Sequence, residues 1–338
     1  DYANILQCGY GVQLDVDEAL KYIQIAIDKG DPSAMSTYGD FYYNGFIIPK
    51  DKEKAFKYYK MSAEKDFNIG LNNYAILLFL GEGTPVNKEE SIKNLRIAAD
   101  RGLDYSLYTL GQILLMDPLT KEEGVKYLKM ASDKGYNNAI YNYACCLFAG
   151  DGIEKNQEEG AKYFKKSADN GSVNGITNYA YILYDGIGTE INLKESIKYF
   201  KISANRNHIN GTFSYANILY KGVQCQVNKK EAAKYYKLAG EKGNVKSMFR
   251  YADMLLDGDG IEENKEEAAK IFKKLADVDG HIRSMTRYAY MSFDGNGIPM
   301  NKEEGLKYYK MAVDKDDADA MNTYGIYLYS GNGIPKDQ

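Results

Sequence analysis

The residues that could carry chemistry in this chain are few, and their spacing does not converge. Two histidines occur, His208 and His281, and neither has a second ligand four residues away. A His-based metal site or a nucleophile–base–orienter triad needs such partners, so neither is expected. The four cysteines, Cys8, Cys145, Cys146 and Cys225, share no metal-ligand spacing and sit inside apolar helical patterns. They read as free thiols of a reducing compartment. Asp257-Gly258-Asp259-Gly260 and Asp294-Gly295-Asn296-Gly297 touch on a calcium loop but lack its alternating acids and terminal Glu. In phosphate-binding loops a Gly-x-Gly follows a strand and opens a helix. Here it closes a helix and recurs from unit to unit, which makes it a structural turn. Paired acids such as Glu158-Glu159 fall at helix starts, where they complement the helix dipole. The expectation is no catalytic residue, no metal, no cofactor and no enzymatic activity.

The elements that hold these residues are repeats. Tyr followed by a small residue recurs at Tyr38-Gly39, Tyr74-Ala75, Tyr143-Ala144, Tyr179-Ala180, Tyr215-Ala216, Tyr251-Ala252, Tyr288-Ala289 and Tyr324-Gly325, with Leu110-Gly111 as a variant and Tyr2-Ala3 in the same series. The commonest step is 36 residues; Leu110 to Tyr143 is 33, and Tyr251 to Tyr288 is 37. A second series, a small residue then Lys two positions on, runs in phase, as at Ala55/Lys57, Gly160/Lys162 and Ala232/Lys234. Two series locked in phase specify tandem units.

Each unit reads as two helices, because apolar residues fall at helical period in both halves, as in Met35, Tyr38, Gly39 and Tyr42. The first helix stops at Gly-x-Gly, for example Gly150/Gly152 and Gly331/Gly333, where Gly can take the left-handed conformation. The second opens with Asn or Asp before Lys-Glu-Glu, a capping signal, as at Asn87 and Asn301. It ends at Gly30, Gly102, Gly135, Gly171 or Gly243, or at a substitute. The predicted fold is all-α: a right-handed superhelical α–α solenoid of tandem helix–turn–helix repeats. Its expected organisation is one solenoid domain over 1–338. Full repeats cover 31–66, 67–102, 103–135, 136–171, 172–207, 208–243, 244–280 and 281–316, with partial repeats at 1–30 and 317–338.

Bulk properties narrow the partners. Formal net charge is -4 and Lys alternates with Glu in short blocks, so no basic stripe for nucleic acid survives. No apolar run approaches the roughly 18 residues of a membrane span. No signal peptide opens the sequence, although Asp1 falls in mid-pattern. The expected compartment is the cytoplasm. The sequons Asn170-Gly171-Ser172 and Asn210-Gly211-Thr212 keep the endoplasmic reticulum lumen as an alternative.

Units such as Tyr143 to Gly171, Tyr251 to Gly280 and Tyr288 to Asp316 resemble the Sel-1-like repeat, a relative of the tetratricopeptide repeats. The resemblance covers essentially the whole chain and implies an adaptor of complex assembly, signalling or host interaction. The sequence departs from the pattern at Met116-Asp117-Pro118-Leu119, which replaces a Gly-x-Gly, and at one extra residue near Asp277-Val278-Asp279. His208 and His281 also open units where Ser, Asn or an aliphatic is usual.

Stacked helix pairs bury a shared core and leave an extended concave wall. Tetratricopeptide-like stacking lines that wall with the first helices, at five and one or two residues before the anchor Tyr and two after it. Asn138, Asn142, Asn174, Asn178 and Asn210 form an amide stretch there, and Lys246, Arg250, Arg283 and Arg287 a basic one. The expected function is a non-enzymatic scaffold that binds a partner protein or an extended peptide on this face. The amides would pair with peptide backbone and the cations with acidic or phosphorylated side chains. Two alternatives stay open: a structural subunit of a large cytoskeletal or membrane-linked assembly, and a docking activator of a partner enzyme.

Overall fold

The computed structural model describes residues 16–330; Tyr2-Ala3, Cys8 and Gly331/Gly333 lie outside the described residues. Among those residues there are 18 α-helices and no strand. The chain divides into two compact units, Asp1–Asn170 and Gly171–Gln338. The first contains α1 (Val16–Asp28), α2 (Pro32–Asn44), α3 (Lys52–Glu64), α4 (Asn68–Leu80), α5 (Lys88–Asp100), α6 (Asp104–Leu115), α7 (Lys121–Asp133), α8 (Asn137–Ala149) and α9 (Gln157–Asp169). The second contains α10 (Val173–Asp185), α11 (Leu193–Asn205), α12 (Ile209–Lys221), α13 (Lys229–Glu241), α14 (Val245–Asp257), α15 (Lys265–Asp277), α16 (Ile282–Asp294), α17 (Lys302–Val313) and α18 (Ala318–Ser330). Within each unit every helix packs on its neighbours in sequence, the arrangement of a solenoid of helix–turn–helix repeats.

The boundaries follow from local chemistry. Asp51, Asn87, Asn156, Asn192, Asn228, Asn264 and Asn301 each accept a hydrogen bond from the backbone N–H three residues on, capping a second helix. Such a cap contributes about 1 kcal/mol. At the other end of the first helix, Gly150 sits at φ 78° and donates to Cys146 O, closing α8. Asp66, Asn207 and Asp316 hold positive φ where other units place Gly, and a short polar side chain tolerates that region best.

The core is made where small residues meet. Ser91 Oγ donates to Ala75 O at 2.6 Å and Ser196 Oγ to Ala180 O at 2.7 Å, so the small residue before Lys touches the small residue after Tyr. A further seam joins each second helix to the first helix of the next repeat. Gly70 faces Ser62, and Gly211 faces Ser203, with no room for a Cβ. Around these seams the Tyr anchors pair with a Tyr twenty residues on. Tyr38–Tyr58, Tyr143–Tyr163, Tyr179–Tyr199, Tyr215–Tyr235 and Tyr288–Tyr308 all meet edge to face, with centroids 4.7 to 5.1 Å apart. Each such pair is worth about 0.5–1.5 kcal/mol beyond its area. Tyr251 has Ile271 at that place and is only half-buried.

The two length variants have visible causes. α6 ends in right-handed geometry at Met116, without a left-handed glycine, and Thr120 Oγ1 donates to Leu114 O at 2.7 Å. This short turn leaves Leu119 93% exposed. After α15 the extra residue sits beside Leu275, which occupies a seam position held by Ser62 and Ser203 in other repeats. The larger side chain coincides with the longer turn, and His281 N donates to Leu275 O at 3.0 Å.

Candidate functional site: the exposed face of the first helices

Five residues before each anchor, the side chain faces solvent in every repeat from Ser33 to Asp319. Asn138, Asn174, Asn210, Lys246 and Arg283 belong to this exposed row. The row one residue before the anchor differs from the expectation. Asn142 and Asn178 are half-buried there, and only Arg250 and Arg287 are exposed.

Several side chains of this row are also bonded to the preceding first helix. The residue two after one anchor reaches the residue one before the next. Asn73 Nδ2 lies 3.5 Å from Asp40 Oδ1, the Tyr181 and Ser214 hydroxyls are 2.6 Å apart, and Arg287 Nε lies 3.1 Å from Asp253 Oδ1. Asn142 Nδ2 donates to Tyr108 Oη at 3.4 Å. These side chains are partly spent on holding repeats together, which leaves the five-before row as the freer one.

The nine predicted residues fall in both units. Asn138 and Asn142 are in the first; Asn174, Asn178, Asn210 and the four cations are in the second. The cations differ in surroundings. The Arg283 guanidinium carbon lies over the Phe249 ring, 6.0 Å from its centre. Arg287 faces Asp253, whose carboxyl burial raises its pKa against the opposing pull of Arg287 and Arg250. Lys246 makes no ion pair among the described residues.

The histidines and cysteines have structural surroundings. His208 Nδ1 accepts from Gly211 N at 3.3 Å and lies 3.1 Å from Thr177 Oγ1, so His208 caps α12 as the neutral form. Burial lowers its pKa accordingly. His281 Nδ1 is 2.8 Å from Ser284 Oγ. Cys146 is buried and its thiol is pushed up to about 11, while Cys145 and Cys225 are half-buried; all three are free. Among the described residues no group of three or more His, Cys, Asp or Glu is placed to hold a metal ion.

Sequence reasoning missed what the acid inside Gly-x-Gly does. Glu82 pairs with Lys52 at 2.7 Å, Asp151 with Lys121 at 2.5 Å and Asp259 with Lys229 at 2.5 Å. In each pair the Lys opens the second helix of the preceding repeat, thirty residues earlier. The signal was present as a fixed Lys-to-acid spacing. The calcium-like loop at Asp257–Gly260 thus contains an inter-repeat ion pair.

Paired helices, capped alike, seamed by small residues and latched from one repeat to the next, define an all-α helical-repeat solenoid. The Sel1 repeat family matches residues 1–31, 32–67, 69–103, 117–136, 137–172, 174–208, 211–244, 245–279, 282–317 and 318–338. The chain belongs to that family. Two solved structures share its fold. One is a protective antigen present in uropathogenic Escherichia coli strains displaying an SLR fold. It is 24% identical, with a TM-score of 0.78 over 99% of this chain and 72% of its own. The other is a Sel1 repeat protein from Oxalobacter formigenes, 18% identical, with a TM-score of 0.71 over 92% of this chain and 91% of its own. No curated protein matches the sequence. Repeats of this family are generally protein-interaction scaffolds and typically non-catalytic. No helix among the described residues is long and apolar enough to cross a membrane.

Proposed function

We propose that this chain is a non-enzymatic scaffold that takes an extended, acidic or phosphorylated segment of a partner protein across the first-helix face of its second unit. One observation carries the reading: Lys246 and Arg250 on α14, and Arg283 and Arg287 on α16, are all exposed at the same two positions of consecutive repeats. Pairs four apart project from one face of a helix. Asn174 and Asn210 continue the exposed row on α10 and α12, and an amide there can both donate to and accept from peptide backbone. The Arg283 guanidinium lies over the Phe249 ring, 6.0 Å from its centre, a weak cation–π contact. Free Cys145, Cys146 and Cys225 support a cytoplasmic setting.

The test is an array of acidic and phosphorylated peptides probed with the full chain. Replacing Lys246, Arg250 and Arg283 by Glu is expected to weaken the selected peptides more than about tenfold. Raising salt should weaken the wild-type interaction in the same direction. Unchanged binding by the charge-reversed chain would remove the reading.

A further inference from the structure

Successive first helices leave a cleft between them, and its contents change from repeat to repeat. Between α12 and α14 the cleft is almost full. Tyr220, Tyr236, Arg250, Asp253, Asp257 and Asp259 line a space of about 30 Å³. Tyr220 Oη donates to Asp259 Oδ2 at 2.7 Å there. One repeat earlier, between α10 and α12, the same six places hold Tyr184, Phe200, Ser214, Asn217, Lys221 and Val223, and the space is about 250 Å³. Ser214 stands where Arg250 stands, so a short side chain replaces the long one that lines the downstream cleft. Val223 replaces the acid that Tyr220 binds, and the Tyr184 hydroxyl has no acceptor among the described residues. Lys221 replaces Asp257 and makes no ion pair among the described residues. Three carboxylates are lost and the cation moves from the place of Arg250 to that of Asp257, so the cleft turns from acidic to basic while its walls stay aromatic.

We infer that this cleft is a side-chain pocket for one aromatic residue of the partner peptide, with a carboxylate beside it held at Lys221. The inference rests on the peptide-binding reading and names the chemistry of its anchor. The volume suits a single large side chain. Tyr181, Tyr184 and Phe200 offer ring edges and faces, and Ile218 and Val223 complete an apolar lining. Ser214 Oγ and Asn217 Oδ1 are already engaged, by the Tyr181 and Tyr236 hydroxyls, so these two oxygens are not stranded when an apolar ring enters. Tyr184 and Lys221 remain as the donors for an anion.

The probe is 3-(4-fluorophenyl)propanoate, which joins an aromatic ring to a carboxylate, followed by fluorine NMR with the full chain. The expected result is saturable line broadening with a dissociation constant of about a millimolar. Ser214→Arg should abolish it by refilling the cleft. That substitution is compatible with folding, because Arg250 occupies the equivalent place in the same chain. Lys221→Ala should weaken the propanoate about fivefold and leave the neutral propanamide analogue unchanged. No saturable binding to wild type, or equal binding by wild type and Ser214→Arg, would overturn the inference. Fragment binding that survives charge reversal at Lys246, Arg250 and Arg283 keeps the pocket even if the peptide array fails. Array binding that responds to charge reversal, without fragment binding, keeps the scaffold reading and sinks the pocket.

Discussion

Replacing Gly211 by Ala pushes a methyl group into the seam between α11 and α12. Its Cβ would stand 1.9 Å from Ser203 Oγ and 2.6 Å from Ser203 Cβ. Unstrained contacts between carbons begin near about 3.5 Å. Rotating the hydroxyl relieves the first clash and leaves the second, so the two backbones must part by most of an ångström. Overpacking of this kind costs about 1–3 kcal/mol. Rotation also forfeits the 2.6 Å bond between the Ser203 and Thr177 hydroxyls, a further loss of about 1 kcal/mol. Opposing both, Ala is favoured over Gly in a helix by up to about 1 kcal/mol. The steric loss wins, and the net destabilisation is about 2 kcal/mol. The assay is urea denaturation of the full chain, with hydrogen exchange reporting α11 and α12 separately. Ser203→Gly in both backgrounds completes the cycle. With Ser203 removed, Gly211→Ala should be near neutral, giving a coupling of about 2 kcal/mol. A Gly211→Ala midpoint at or above wild type, or the same penalty in the Ser203→Gly background, would refute the seam.

Tyr59→Phe removes the donor that holds Asp40 at 2.6 Å and leaves a half-buried carboxylate facing only the longer Asn73 contact. The expected cost is about 2 kcal/mol in urea denaturation, and a neutral result would contradict it. His208 supplies a pH dependence. Its folded pKa lies below the ordinary 6.5, so the neutral cap stabilises fully above that value and is lost as pH falls through the folded pKa. Wild type should therefore lose more stability between pH 7 and 5 than His208→Asn, which keeps a cap that does not titrate; equal losses would count against the cap. Among the described cysteines a mild disulfide reagent should label half-buried Cys225 before buried Cys146, whose thiol sits at about 11. Mass spectrometry of the native chain reads the order, and labelling of Cys146 first would contradict it.

The repeat was legible because the same physical demand recurs in every unit. A Tyr anchor, a small residue beside it, an Asn cap and a left-handed Gly each leave a letter at a fixed offset. The seam at Gly70 and Gly211 was legible too, four residues before the anchor, but Gly, Ala and Ser share it and no single letter marks it. The Lys-to-acid latches were hidden for another reason. Glu82, Asp151 and Asp259 look like ordinary turn acids until the turn is laid on the preceding repeat. The half-burial of Asn142 was beyond sequence reasoning, since it depends on Tyr108 of the preceding repeat lying beside it. The open cleft at Ser214 was beyond it as well. Only comparison with Arg250 in three dimensions shows that a small residue there leaves space instead of closing it.

The latches between Lys and the turn acid join residues only thirty apart. A molecule bound together at such short range can gain or lose a whole thirty-six-residue module and keep the chemistry of every remaining junction. Evolution could then lengthen, shorten or reshuffle the binding face one side chain at a time, without renegotiating a distant core.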